Sequence, residues 1–290
     1  MGCKNRHVTF LGLWEATLKN LSSDGSLYET LNQASSVIHM LREQRSKRFG
    51  FLISFDSDDR FVGQGLAIDV YEPYESQLFL EHIETDTIVF DIGANIGYYT
   101  LLASLKSVSG RIIALEPNLK NFLLLERNII RNNITNATPL NLAAGSQTCE
   151  EKLYLSNDNQ GDHRLYRGEG GRVCEIVNCT TIDALVESQN SIPNIIKIDT
   201  QGFDYYVLLG MQHLLHQNNH LTIFTEFWDY GNRLSGVRSE DYYRLLATHF
   251  KTVEFIDEEK QRTYPVDVDF VLNECQKGDW GMHVNLLCSK

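Results

Sequence analysis

From residue 86 onwards, the chain alternates short apolar segments with segments of helical periodicity. The apolar segments contain no regular polar positions, so they predict strands buried on both faces, as in a parallel sheet covered by helices. The predicted strands are 87–91, 111–116, 138–142, 195–199, 221–227, 252–256 and 283–288, and the predicted helices are 97–107, 118–132, 181–189, 203–218 and 239–249. This pattern predicts a doubly wound α/β domain over residues 86–290.

Residues 1–85 follow a different pattern and form a predicted lead-in to this domain. Apolar residues recur at helical spacing within 26–48, a second helical stretch is predicted at 8–20, and strand-like segments follow at 51–55 and 67–71. We expect the helices of this lead-in to act as a lid or as an oligomerisation element.

The connection between the third and fourth predicted strands is long. It carries strand-like segments at 152–155 and 172–179. These segments predict an inserted β-hairpin that overhangs the carboxyl ends of the strands, where ligands bind in open α/β sheets.

Charge and composition exclude several classes of protein. The formal net charge of −12 at pH 7 repels phosphate backbones, so nucleic acid is not an expected partner. No segment approaches the ~20 apolar residues that span a bilayer, and the first thirty residues lack a cleavable apolar signal. The six cysteines form no C-x-x-C pair and have no histidine at zinc-ligand spacing. We therefore expect a cytoplasmic protein with reduced thiols, no metal and no membrane insertion.

The first predicted strand ends in Asp91 and continues into a D-x-G-x-N-x-G loop that contains Gly93, Asn95 and Gly97. Glycines permit a tight turn and a close backbone approach to a ligand. A dinucleotide fingerprint would have further glycines at Asn95 and Tyr98, so the loop argues against NAD. A carboxylate at Asp91 suits the cationic amino-acid part of S-adenosylmethionine.

The second predicted strand ends in Glu116, followed by Pro117 and Asn118. A carboxylate in this place accepts hydrogen bonds from both hydroxyls of a ribose. Pro117 favours the start of the next helix. Together with the preceding loop, these residues predict a binding site for S-adenosylmethionine.

The segment 87–118 resembles the cofactor-binding core of class I S-adenosylmethionine-dependent methyltransferases, and residues 90–100 resemble the FkbM family in particular. Further similarities to that family lie at 71–73, 141–145, 180–185 and 195–202. The resemblance implies a Rossmann-like sheet of seven strands, a cofactor site that includes Ala143, and O-methylation of hydroxyl groups, often on sugars or natural products.

One position departs from the pattern of the FkbM family. Relatives commonly have V-E-G-x-E after the fourth strand, whereas this chain has Thr200-Gln201-Gly202-Phe203-Asp204. The change from Glu to Gln removes a charge. If that Glu assists the chemistry in relatives, this protein does without it.

The ends of the fourth and fifth predicted strands supply candidate acceptor-binding residues. Asp199 ends the fourth strand, and Lys197 lies two residues earlier on the same strand face. Asp204 is either an acceptor contact or a favourable charge at a helix start. Glu226 is a candidate for binding sugar hydroxyls, and Trp228 is a candidate for stacking on a ring or for packing in the core.

The polar segment 157–164 lies within the predicted insertion. We expect Asp158, His163 and Arg164 to contact the methyl acceptor. Because histidine exchanges protons near neutral pH, His163 is the first candidate for the base that takes the hydroxyl proton, with Asp158 and Asp199 as alternatives.

These patterns predict an S-adenosylmethionine-dependent O-methyltransferase that acts on a hydroxyl of a sugar, a glycan or a natural product. Two alternatives remain open. N-methylation of a small amine commonly uses an N/D-P-P-Y motif after the fourth strand, which residues 199–202 do not match. A nucleoside-binding module without catalysis is supported by Gln201 alone.

Overall fold

An eight-stranded mixed sheet forms the centre of the protein. The computed structural model describes residues 41–57, 59, 65, 71–156, 159–168, 170–277 and 282–290. The strands are β1 Leu41–Arg45, β2 Leu52–Asp56, β3 Ile88–Ile92, β4 Arg111–Leu115, β5 Ala137–Leu140, β6 Ala143–Ala144, β7 Cys149–Tyr154, β8 Cys174–Thr180, β9 Ile195–Ile198, β10 Thr222–Phe227, β11 Thr252–Asp257, β12 Arg262–Pro265 and β13 Val284–Ser289. The order in the main sheet is β12-β11-β13-β10-β9-β3-β4-β5.

Helices cover the sheet and connect its strands. They are α1 Pro73–Glu81, α2 Tyr98–Lys106, α3 Leu119–Arg131, α4 Ile182–Gln189, α5 Asp204–Leu209, α6 Gln212–Gln217, α7 Asp229–Leu234, α8 Ser239–His249 and α9 Val268–Cys275. Strands β9, β3, β4 and β5 run parallel to one another, and β10 runs parallel to β9. The predicted doubly wound α/β fold is therefore confirmed.

All seven predicted strands are present, and an eighth strand, β12, pairs antiparallel with β11 at the sheet edge. The sheet therefore has one strand more than the resemblance implied. Strand β12 reads Arg-Thr-Tyr-Pro and is largely exposed, so it lacks the apolar run that marks the central strands. A proline is tolerated there because an edge strand leaves backbone groups unpaired.

The predicted helix 203–218 is two short helices, α5 and α6, which are separated at Gly210 and Met211. A Cβ atom on Gly210 would lie 2.0 Å from the carbonyl oxygen of Gly145. The close approach of these two backbones therefore requires glycine, and the chain turns there instead of continuing as one helix.

The predicted hairpin is also confirmed, because β7 and β8 pair antiparallel. Strand β6 adds to β8 in parallel, which gives a separate sheet of order β6-β8-β7. The segment that connects β7 to β8 folds back onto the hairpin. Two backbone hydrogen bonds of 2.7 and 3.1 Å join Tyr154, at the end of β7, to Arg164 in this segment. These bonds fix the polar segment of the insertion.

The helix predicted over 26–48 is wrong at its C-terminal end, because β1 and β2 form a two-stranded sheet there. A turn closed by hydrogen bonds between Ser46 and both Gly50 and Phe51 joins the two strands. Helix α3 provides a hydrogen-bond partner for a backbone amide on the free edge of β2. The Asn128 side chain accepts from the Ser54 amide at 2.7 Å. The helix predicted at 8–20 and residues 67–70 lie outside the described part of the chain.

Candidate active site

One cavity of about 370 Å³ opens where β3, β4, β9 and β10 end. It brings together ten of the side chains that the sequence singled out: Asp91, Gly93, Asn95, Glu116, Pro117, Ala143, His163, Lys197, Asp199 and Glu226. Five others do not line it, namely Gly97, Asn118, Arg164, Asp204 and Trp228. Asp158 lies outside the described residues.

The loop after β3 is wedged between the ends of its two neighbouring strands. A Cβ atom on Gly93, whose φ is +79°, would lie 1.9 Å from the carbonyl oxygen of Asp199. The amides of Gly93 and Ala94 donate to the Leu115 carbonyl at 3.0 and 2.9 Å. Glycine is therefore required at position 93, and the loop backbone forms the floor of the cavity.

Gly97 and Asn118 shape the cavity without lining it. The φ of Gly97 is +93°, and a Cβ atom there would lie 2.6 Å from Cδ1 of Leu125 on α3. Asn118 is the N-cap of α3, where its Oδ1 accepts from the Asn121 amide at 3.1 Å. Both residues fix the elements that carry the cavity wall.

Glu116 holds a fixed orientation on that wall. Its side chain is 5% exposed. Oε1 accepts from the amide of Asn118 at 2.8 Å, and Oε2 accepts from the amide of Asn95 at 2.9 Å. Burial raises the pKa of Glu116 to about 8, although both backbone donors favour the ionised form. The structure therefore places a pre-oriented carboxyl group at the end of β4.

Asp91 lies at the floor of the same cavity and is 2% exposed. Its Oδ2 accepts a hydrogen bond of 2.6 Å from the Thr100 hydroxyl on α2. Burial raises the pKa of Asp91 to about 6. A cationic group of a ligand would favour the ionised carboxylate here.

Lys197 is 1% exposed, and its Nζ lies 3.1 Å from Oε1 of Glu75. The ammonium group also lies 4.9 Å from the ring centroid of Tyr99. Burial alone would lower the pKa of Lys197, but the carboxylates of Glu75, Glu72 and Asp199 outweigh burial and raise it. Lys197 is therefore an ammonium ion whose charge is matched by its neighbours.

Asp199 lies just after β9 and accepts at Oδ1 a hydrogen bond of 2.7 Å from Nε2 of Gln201. Gln201 has a φ of +54°. Its carbonyl oxygen accepts from the Tyr166 hydroxyl at 2.7 Å. The departure from the family pattern thus puts an amide donor next to Asp199.

Glu226, at the end of β10, is 5% exposed, and its Oε1 lies 3.5 Å from Nδ1 of His283. Burial and the charges of Asp199 and Asp204 raise the pKa of Glu226 well above its ordinary value. His283 also lines the cavity. This side of the cavity is therefore rich in carboxyl groups.

His163 does not have the geometry of a proton acceptor. Its Nδ1 is 3.0 Å from the amide nitrogen of Ser156, which can only donate. The hydrogen of the neutral ring is therefore on Nε2. Burial lowers the pKa of His163 to about 4, so the ring is neutral at pH 7. Both observations argue against His163 as the base that takes the acceptor proton, and its role in catalysis stays a prediction.

Arg164, Asp204 and Trp228 do not line the cavity and contact other residues of the protein, so their contacts with an acceptor stay a prediction. Arg164 donates to Oδ1 of Asp162 at 2.5 Å, and its guanidinium lies 4.7 Å from the Trp228 ring centroid. Oδ2 of Asp204 accepts from the Thr200 hydroxyl at 3.0 Å and from the Gly202 amide at 3.2 Å. These contacts order the loop after β9 and the insertion.

Sequence reasoning missed Glu72, Asn121 and His283, all of which line the cavity. Glu72 accepts from the Tyr99 hydroxyl at 2.6 Å. Its segment, 71–73, resembles the FkbM family, but that resemblance did not indicate a role for Glu72. Asn121 and His283 belong to no motif, and only the fold brings them to the site.

The described residues contain neither a candidate metal site nor a helix that could cross a membrane. In that part of the chain, no three His, Cys, Asp or Glu side chains lie close enough together to hold a metal ion. The helices described there are too short or too polar for any of them to cross a bilayer.

Comparison with solved structures gives only distant similarity. The chain resembles the precorrin-6y C5,15-methyltransferase of Geobacter metallireducens with a TM-score of 0.42 and 15% identity, over 74% of this chain and 87% of that one. It resembles M. jannaschii TYW2 in complex with AdoMet with a TM-score of 0.45 and 12% identity, over 86% and 85% of the two chains.

A curated relative is the hexuronic acid methyltransferase AglP of Haloferax volcanii, which is 29% identical over 175 residues. The match covers 59% of this chain and 66% of AglP, just under two thirds of its length. The family model of the methyltransferase FkbM domain matches residues 91–264, which is more than half of the chain and runs from the end of β3 into β12. The chain therefore belongs to the FkbM methyltransferase family.

Proposed function

We propose that this protein transfers a methyl group from S-adenosylmethionine to a hydroxyl group of an uncharged sugar or a related polyol. One observation carries the proposal: the buried carboxyl group of Glu116 and the loop around Gly93 share a single cavity with Asp199. The first two suit a nucleoside with an amino-acid tail, and the third suits a reacting hydroxyl.

The residues on the β3 and β4 side fit the cofactor. Glu116 would accept from the ribose hydroxyls, and Asp91 would bind the amino group of the methionine part. The buried Oδ1 of Asn95 has no hydrogen-bond partner among the described residues, as expected of a group that bonds a ligand. When bound, the cofactor supplies an electrophilic methyl group on a sulfonium ion.

On the β9 side, Asp199 is the proposed proton acceptor. Gln201 orients the carboxylate from one oxygen, which leaves the other oxygen for the acceptor hydroxyl. Held by Glu116, Asp91 and Asn95, S-adenosylmethionine would supply its methyl group to the acceptor oxygen and leave as S-adenosylhomocysteine. Asp199 would take the proton of the acceptor hydroxyl.

The charges around the cavity indicate whether the acceptor is charged or neutral. Among the described lining residues, Lys197 is paired with Glu75, His163 is neutral and His283 lies against Glu226, so no unmatched cation is available there. A carboxylate-bearing acceptor would be buried without a partner, which costs several kcal/mol. The name of AglP supports a sugar, whereas the charge of this cavity favours an uncharged one.

The test is transfer of a labelled methyl group to matched pairs of glycosides, such as methyl glucoside and methyl glucuronide. We expect the label on the neutral glycoside, as a methyl ether that is stable in alkali. Activity should persist in EDTA, since we propose that no metal takes part, and Asp199→Asn should abolish it. Alkali-labile label in the glucuronide would indicate a carboxyl methyltransferase, and no transfer to any acceptor would contradict the proposal.

A further inference from the structure

Several polar side-chain atoms in the cavity are buried and have no partner. In the described part of the chain, they are Asn95 Oδ1, Asn121 Oδ1, His163 Nε2 and Glu226 Oε2. A buried polar atom without a hydrogen bond is unfavourable, so a group of them around one cavity indicates a ligand that satisfies them. Asn121 and His163 are distinct from the others because neither is part of a strand-end motif.

Asn121 and His163 lie on the same side of the cavity. The Nδ2 atom of Asn121 donates to the carbonyl oxygen of Gln160 at 2.9 Å, which ties the start of α3 to the insertion three residues before His163. In the sheet, β4 and β9 flank β3 from opposite sides. The pair therefore lies beside Glu116, on the side of the cavity away from Asp199.

The hydrogen-bonding character of both atoms is fixed by their neighbours. A carbonyl oxygen only accepts, so the amide of Asn121 must direct Nδ2 at Gln160 and present Oδ1 as an acceptor. A backbone amide only donates, so Nδ1 of His163 must accept from Ser156, and Nε2–H is a donor. The two side chains offer the cavity one acceptor and one donor.

Adenine has the complementary pattern, since its N6 amino group donates and the neighbouring ring nitrogens accept. We infer that Asn121 Oδ1 accepts from the N6 amino group of adenine and that His163 Nε2 donates to the neighbouring ring nitrogen N1. The inference rests on the proposed function, and it assigns His163 to cofactor recognition. Hypoxanthine reverses the pattern, because its O6 accepts and its N1–H donates.

Calorimetric titration with S-adenosylhomocysteine and S-inosylhomocysteine tests this assignment. The wild-type protein should bind the adenosyl compound roughly 100-fold more tightly than the inosyl compound. In the inosyl compound, the O6 acceptor would face the Asn121 acceptor, and the N1–H donor would face the His163 donor. Asn121→Leu and His163→Leu should each reduce this ratio to about tenfold or less. His163→Gln, which retains an acceptor and a donor, should keep more of it, and the exposed His213→Leu should leave it unchanged.

Equal affinities of the wild-type protein for the two compounds would overturn the inference, as would an unchanged ratio in both leucine variants. The wild-type comparison holds even if a variant does not fold. Binding of neither compound would overturn the proposed cofactor itself, and with it this assignment.

Discussion

Nε2 of Gln201 donates a 2.7 Å hydrogen bond to Oδ1 of Asp199, at the carboxyl end of β9. The amide keeps its protons at all physiological pH values, so it remains a hydrogen-bond donor to Asp199 throughout that range. A carboxyl group in the same place would instead compete with Asp199 for a proton. Other ionisable groups around Asp199 belong to the same cluster: Glu72, Glu75, Asp91, Lys197, Asp204 and Glu226.

Gln201→Glu should therefore shift the pH dependence of the turnover number. Two adjacent carboxyl groups share a proton, which raises the apparent pKa of the pair. Because the base must be ionised, activity should be lost at a higher pH than in the wild-type protein, by at least about one pH unit. The measurement is a pH profile of kcat for both proteins. Identical acidic limbs would show that Gln201 does not act on the proton acceptor.

Lys197→Met should destabilise the protein by about 3–5 kcal/mol, because it leaves the carboxylate of Glu75 buried without its partner. Adding Glu75→Gln should recover at least half of this loss, since the amide still accepts from Asn285 and carries no charge. Urea denaturation measures both effects. A loss below ~1 kcal/mol in the single variant would mean that the pair is not ionised.

Gly93→Ala should cost about 3 kcal/mol of stability or more, because the added methyl group meets the Asp199 carbonyl and the backbone is left-handed. Gly170→Ala is the matched control, since φ there is +95° and a Cβ atom would meet no atom within 4 Å. The control should lose only the ~1–2 kcal/mol of stability that a left-handed backbone conformation costs a residue with a Cβ atom. Equal losses in chemical denaturation would show that the loop is not wedged as described.

The buried ring of His163 should make the protein less stable in acid. Its pKa is about 4 when folded, against an ordinary value of 6.5. The unfolded chain therefore binds the proton more tightly, so stability is complete above pH 6.5 and is lost as the pH falls through 4. This contributes at most about 3 kcal/mol.

His163→Gln removes the titrating group, while the carboxyl groups of Asp91 and Asp204, whose raised pKa values act in the opposite sense, remain in both proteins. The stability difference between wild type and variant should therefore change in favour of the variant between pH 6.5 and 4. A difference that is constant with pH would show that His163 is not buried as a neutral ring.

The central strands were predictable because burial on both faces requires mostly apolar runs, as in β3 and β9, which each contain a single polar residue, Asp91 and Lys197. Strand β12 was not, since an edge strand needs no such run. Strand ends also predicted the side of the cavity on which Asp91 and Glu116 lie, which is the proposed cofactor side, because position along a parallel sheet fixes where strand-end residues meet.

The proposed acceptor side could not be predicted to the same extent. Its side chains come from loops, whose course depends on tertiary contacts. His283 reaches the cavity from a segment without a motif, and Arg164 bonds Asp162 and packs on Trp228 instead of facing the cavity. The tautomer of His163 depends on one backbone amide seven residues earlier in the chain, and no sequence pattern indicates that contact.

The most direct test of the account is calorimetric titration of the wild-type protein and of Glu116→Ala with S-adenosylmethionine and with NAD. The wild-type protein should bind S-adenosylmethionine and not NAD. Glu116→Ala should weaken that binding tenfold or more, because the hydrogen bonds of two ribose hydroxyls to this carboxyl group contribute ~1.5–3 kcal/mol. The exposed Glu150→Ala should change nothing. An unchanged dissociation constant in Glu116→Ala, or binding of NAD in place of S-adenosylmethionine, would contradict the account.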